Sequence, residues 1–224
     1  MRSLGRLVRG LSALFWGLPM SLVVCVWTAN PQWLKSFGVV PPLVCTGLLV
    51  YGLGELAAFQ KQERVWRSAL DRARVIGLTN FFLSPFLYWW SRVPGNVFFT
   101  TMVIVLALSS LLFLGSLNLV LQRLGAMLPD ETLRLETKQF TTVNLNLLFI
   151  LFLPALVYLS AAYAGFGQFP GLPPWLAEVT ALVDRGNPWF LIILLLLMLL
   201  PLAMTMALLW KTKEVILDNV FGAK

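Results

Sequence analysis

Five long apolar runs divided by short polar stretches dominate the chain, at about Ser12 to Thr28, Gly38 to Phe59, Val97 to Leu121, Thr142 to Ala164 and Trp189 to Trp210. Each approaches the roughly 20 residues an α-helix needs to cross bilayer hydrocarbon. Apolar residues fill every helical face within them, the pattern of a helix surrounded by lipid or protein on all sides. A sixth run, Val75 to Trp90 (VIGLTNFFLSPFLYWW), is shorter. Its 16 residues reach about 24 Å at the α-helical rise, against a hydrocarbon thickness of about 30 Å. It crosses as a short helix, dips in and returns, or lies at the surface.

Positive charge separates these options, because Lys and Arg of short connections gather on the cytoplasmic side. With six spans and an inner N-terminus, the inner side holds Arg2, Arg6, Arg9, Lys61, Arg64, Arg67, Arg72, Arg74, Arg123, Arg134, Lys138, Lys211, Lys213 and Lys224. Lys35, Arg92 and Arg185 remain outside, fourteen against three. If the short run does not cross, everything after it inverts and the division falls to ten against seven. Tryptophan agrees with six spans, since Trp27, Trp33, Trp89, Trp90, Trp175 and Trp189 then fall at the outer interface and Trp66 and Trp210 at the inner one. Only Trp16 is expected to lie deep. The expected fold is an all-α integral membrane protein with spans at about 11–28, 38–60, 75–90, 97–121, 142–164 and 189–210. These form three consecutive helical hairpins in one domain, with both termini cytoplasmic.

Composition leaves little room for a soluble alternative. The chain of 224 residues is 58% hydrophobic and 12% charged, whereas soluble domains average about 25% charged. A net charge of +7 in a soluble protein would suggest nucleic acid. Here the basic residues sit between apolar runs, where they orient the chain and meet anionic headgroups, so no nucleic-acid partner is expected. Arg2, Arg6 and Arg9 ahead of an apolar run resemble a signal peptide. The end of that run, Val26-Trp27-Thr28-Ala29-Asn30, lacks the small-residue pattern of a cleavage site, so the run is expected to stay as the first span.

Catalytic and metal chemistry lack their parts. There is no histidine, and Cys25 and Cys45 form no CxxC pattern. Both cysteines fall toward the outer ends of neighbouring spans; two packed thiols are expected, a disulfide being the alternative. No G-x-S-x-G, H-E-x-x-H or P-loop pattern occurs, and Asp71, Asp130, Asp184 and Asp218 are scattered over different connections. No enzyme activity and no cofactor are expected.

Polar residues inside the spans are the remaining candidates, because burial in hydrocarbon costs free energy that a partner must offset. Glu55, Asn118, Asn144 and Asn146 are expected at similar depth near the inner boundary. Glu55 is read either as a proton or cation ligand or, with more weight, as a headgroup-level carboxylate paired with Lys61, Arg64 or the N-terminal arginines. The asparagines suggest interhelical hydrogen bonds, and Gly52-x-Gly54 suggests close helix packing. Pro19, Pro85, Pro154 and Pro201 are candidate kinks. A faint threefold repeat places Pro19, Pro85 and Pro154 in the first helix of each hairpin and Glu55, Asn118 and Thr205 in the second.

The inner connections carry most of the charge. Lys61 to Arg74 reads as a helical extension of the second span lying on the headgroups, with Val65, Trp66, Ala69 and Leu70 on one side and Arg64, Arg67 and Arg74 on the other. Leu128 to Phe140 reads as a helix opening at Pro129, with Glu131, Arg134 and Lys138 on a solvated face. Both are candidate surfaces for headgroups or a docking partner. Outside, 165–188 is a Gly- and Pro-rich connection able to cap a pore or meet a partner. The bilayer is the first expected partner, followed by other membrane or cytoplasmic proteins, or a second copy. Two function classes remain: a non-catalytic subunit or scaffold of a membrane complex, and a small permease or channel for an ion, small molecule or lipid. A transporter normally places polar groups at the midplane, and here the midplane is Leu, Val, Phe and Ala. The subunit is therefore preferred.

Overall fold

The computed structural model describes residues 2–29, 37–59, 63–93, 95–127, 131–163 and 188–221, all in helices and their turns, with no strand among them. The helices are α1 (Arg2–Ala29), α2 (Val40–Leu56), α3 (Arg64–Leu83), α4 (Pro85–Arg92), α5 (Val97–Met127), α6 (Glu131–Tyr163) and α7 (Pro188–Phe221). By length and composition α1 and α5 suffice to cross a membrane, and α2 is a shorter apolar helix. Proline opens α2 within its first two residues, where its missing N–H leaves no helical bond unmade. Gly38 and Gly95, in the turns before α2 and α5, have positive φ of 60° and 92°, a region side chains disfavour.

The charged segment Arg64 to Arg74 departs from its expected place. α2 ends at Leu56 and turns over Ala57 to Phe59, and the charged segment instead opens α3, which runs unbroken to Leu83. No glycine or proline separates Arg74 from Val75, so nothing in the backbone stops the helix there. Nor does the segment lie on the surface by its apolar side, because Trp66, Leu70 and Ala73 are buried in the common core. This also accounts for the short third run, which is the far part of a helical path from Arg64 to Arg92 about 44 Å long at the α-helical rise. Likewise the charged stretch from Glu131 is the first part of α6 itself. Pro129 lies outside the described residues.

The path bends once, at Ser84. Pro85 has no N–H to give the Phe81 carbonyl, and the Ser84 hydroxyl donates to that carbonyl instead at 2.9 Å. Thr46 of α2 lies 3.3 Å from the same hydroxyl, so the break is buried against a neighbour. At positions 19, 154 and 201 the helices continue through their prolines.

One apolar core joins α1, α2, α3, α5 and α7 through leucines spaced three and four apart, including Leu7, Leu11, Leu14 and Leu18 of α1 and Leu117, Leu121 and Leu124 of α5. Contacts close these five helices into a ring, α1 on α2, α2 on α3, α3 on α5, α5 on α7 and α7 on α1, while among the described residues α6 packs on α5 and α7. α6 is buried along the stripe Thr137, Thr141, Asn144, Leu148 and Leu151, and turns Val143, Phe149, Ile150 and Leu153 outward. Trp16 is 63% exposed and faces out, and its neighbour Phe15 meets Trp210 at 5.5 Å between rings, so it stands level with the Trp210 end of α7 and not deep in the bundle.

α1 and α2 make the closest backbone approach. A Cβ at Gly10 would stand 2.8 Å from the Gly52 carbonyl oxygen, and one at Gly52 2.9 Å from Leu14. Gly54, read as a packing residue with Gly52, faces open space. Gly10→Ala is expected to destabilise the bundle by about 1–3 kcal/mol, since the obstructing atom is backbone and cannot turn aside. Gly54→Ala is the matched control and should leave the thermal unfolding midpoint of the purified chain unchanged. Equal midpoints for both variants would disprove the close crossing.

Candidate functional site

Hydroxyl and amide groups sit where α5, α6 and α7 meet. Thr205 of α7 is fully buried, and its hydroxyl donates to the Pro201 carbonyl one turn earlier at 2.7 Å. The same oxygen accepts the Asn118 amide from α5 at 2.9 Å and the Asn144 amide from α6 at 3.0 Å. Each amide uses its second hydrogen as well, Asn118 on the Leu114 carbonyl at 2.8 Å and Asn144 on the Pro201 carbonyl at 3.2 Å. Thr141 lies 3.5 Å from the Asn118 carbonyl and completes the seam. Asn118, Thr141 and Asn144 are each about 1% exposed. One acceptor is left over, the buried Asn144 Oδ1, which has no hydrogen bond.

The four intramembrane candidates therefore separate into three places. Asn118 and Asn144 meet through Thr205. Asn146, two residues beyond Asn144, is on the outward side of α6 and exposed, as a 100° step per residue requires. Glu55 stands by the α1–α2 crossing, its Cβ facing Gly10, and it is half-buried with Oε2 enclosed and without a hydrogen bond. It forms no ion pair among the described residues; Lys61, one of its expected partners, lies outside them. Of the three repeat-related positions Glu55, Asn118 and Thr205, the last two touch.

Sequence reasoning missed a second buried polar group, Thr46, Asn80 and Ser84 at the bend after α3, where Asn80 Oδ1 has no hydrogen bond. The signal was present in Pro85, since a proline inside a helix frees the carbonyl four residues earlier and calls for a nearby donor. It also missed the ion pair of Lys211 with Glu136, which ties α7 to α6 beside the charged face. Glu131, Arg134 and Lys138 are exposed, as are Arg64 and Arg67, while Arg74 is half-buried. Arg67 reaches Asp71 at 4.0 Å, one helical turn along. Cys25 and Cys45 are unbonded and partly buried. Among the described residues no group of three metal-ligating side chains comes together. No protein family, curated protein or solved structure compared with this chain matches it.

Thr205→Val keeps the side-chain shape and removes the hydroxyl, stranding one N–H on each asparagine. Stability should fall by about 1–3 kcal/mol. Thr205→Ser should restore most of the loss, and Asn146→Leu should cost nothing measurable. Thermal unfolding of the three variants checks this; a neutral Thr205→Val would remove the node from the set of interactions that hold the bundle.

Proposed function

We propose that this chain is a six-span integral membrane protein of a bacterial-type inner membrane, built as three helical hairpins with cytoplasmic termini, and that it acts as a non-catalytic subunit or scaffold of a membrane complex. The observation that carries this reading is the asymmetry between the ring and α6. The common core is filled with leucines, and the N–H and O–H donors of the node are taken up within the bundle. A broad exposed apolar face runs along α6, where Phe149 is 63% and Ile150 59% exposed. Exposed large apolar residues on other helices, among them Phe82 at 68% and Val44 at 63%, support lipid as the surrounding medium. The basic segments support the orientation. Contacts of Gly10 with Glu55, Phe59 with Trp66, Gly125 with Thr137 and Lys211 with Glu136 draw the charged helix ends of all three hairpins to one end of the bundle.

A permease is the weaker reading. Prolines within the helices favour it, but a substrate path needs polar groups open to a cavity, and those of the node are buried between helices.

Two measurements test the proposal. In cells producing single-cysteine variants on a background with Cys25 and Cys45 replaced by Ser, Lys35→Cys should react with a membrane-impermeant thiol reagent and Lys138→Cys should not. The opposite labelling, or labelling of both, would overturn the topology. In mild detergent the chain should elute with another protein in fixed stoichiometry, and Phe149→Ala with Ile150→Ala should release it. A lone monomer or homo-oligomer from native membranes would sink the subunit reading.

A further inference from the structure

A cleft of about 280 Å³ opens where the turn after α2 meets the first half of α3. Ala57, Phe59 and Leu70 supply apolar wall, and Arg67, Asp71 and Arg74 line the remainder. Trp66 lines it too, at 1% exposure, and its indole N–H is buried without an acceptor. Arg67 lies within ion-pair range of Asp71 at 4.0 Å, so their charges offset. Arg74 forms no ion pair among the described residues and is half-buried. The cleft therefore carries one uncompensated positive charge beside an aromatic and aliphatic wall, and an unused N–H donor of the lining Trp66 is enclosed behind that wall.

We propose that this cleft binds the headgroup of an anionic glycerophospholipid, with its phosphate on Arg74 and an oxygen reaching the Trp66 N–H. This rests on the membrane reading above. A phosphodiester bears one negative charge and several acceptor oxygens, matching the single net cation and the donor. The volume lies just below the range of pockets that enclose a whole drug-sized ligand, so it suits a headgroup whose chains remain in the bilayer. The level is also that of a headgroup: Arg74 is the last charged residue before the apolar run that begins at Val75. Free phosphate shares the anionic chemistry but has no use for the wall of Phe59 and Leu70.

Native mass spectrometry of the full chain, delipidated in detergent and offered equal phosphatidylglycerol and phosphatidylcholine, tests this. One phosphatidylglycerol should be retained in preference to phosphatidylcholine. Arg74→Gln should weaken retention roughly tenfold, the scale of a charge-assisted hydrogen bond. Trp66→Phe, which keeps the ring and loses the N–H, should weaken it by a smaller factor. Arg72→Gln, exposed on the same helix and outside the cleft, should leave it unchanged, and circular dichroism should show equal helicity throughout. Equal retention of the two lipids, or retention unaffected by both Arg74→Gln and Trp66→Phe, would overturn the proposal. Displacement by millimolar inorganic phosphate would overturn the lipid as its occupant. A chain that stays dispersed without detergent would instead overturn the membrane reading itself, while a detergent-dependent chain without lipid preference removes only the cleft.

Discussion

The Thr205 hydroxyl holds three helices with the full capacity of one oxygen. A threonine hydroxyl has one hydrogen and two lone pairs. Here the hydrogen goes to the Pro201 carbonyl and the lone pairs to Asn118 and Asn144, so α5 and α6 are both referred to one point on α7. The two asparagines are likewise spent as donors. Within a hydrocarbon surround such bonds matter because apolar contact between helices competes with equally apolar lipid and gives little net drive to associate. Average interhelical bonds there contribute only about 0.6 kcal/mol each, yet they are directional. They fix which faces of α5, α6 and α7 meet when leucine surfaces alone would accept many registers.

The other half of the ring is fixed differently. α1 and α2 hold together through close approach, Gly10 against Gly52 with Leu14 above, and dispersion rises steeply as backbones near one another. α3 then seats Gly77 against Phe113 of α5, which fills the space a side chain would take. Small residues thus set the α1–α2 and α3–α5 distances, and the polar node sets α5–α6–α7. α6 joins through the node, a narrow apolar stripe, Thr137 against Gly125 and the Lys211–Glu136 pair. That accounts for its broad exposed face without invoking any weakness in its own sequence.

Much of this was legible from the periodicity of the chain, for stated reasons. Helical class follows from apolar runs too long for strands, and the Asn118–Asn144 association follows from burying two amides at one depth. Asn146 was grouped with them because depth along an axis is readable from sequence while rotation about it is not. An apolar run gives no reference face, so a residue two positions away looks equivalent although it points outward. The charged segment at Arg64 to Arg74 was attached to the wrong neighbour for a related reason. Hydropathy marks where apolar character stops, and a helix stops only where its backbone does. Thr205 was legible only as a weak third member of a repeat, because a threonine in a membrane helix most often bonds its own preceding turn and signals nothing further. Its two additional partners come from elements about 60 and 87 positions away in sequence, which no local pattern contains.

The same geometry bears on motion. A transport cycle needs two packings of similar free energy with a path opening between them. Parting α5 from α7 would break the Thr205–Asn118 bond and separate the leucines of the common core, leaving the Asn118 amide short of one acceptor. Parting α6 from α5 and α7 would break the Thr205–Asn144 bond, unseat Thr137 from Gly125 and release the Lys211–Glu136 pair, which is 47% and 40% exposed and accordingly worth little. Either separation leaves a buried amide without the Thr205 oxygen, so the node holds α5, α6 and α7 in one arrangement.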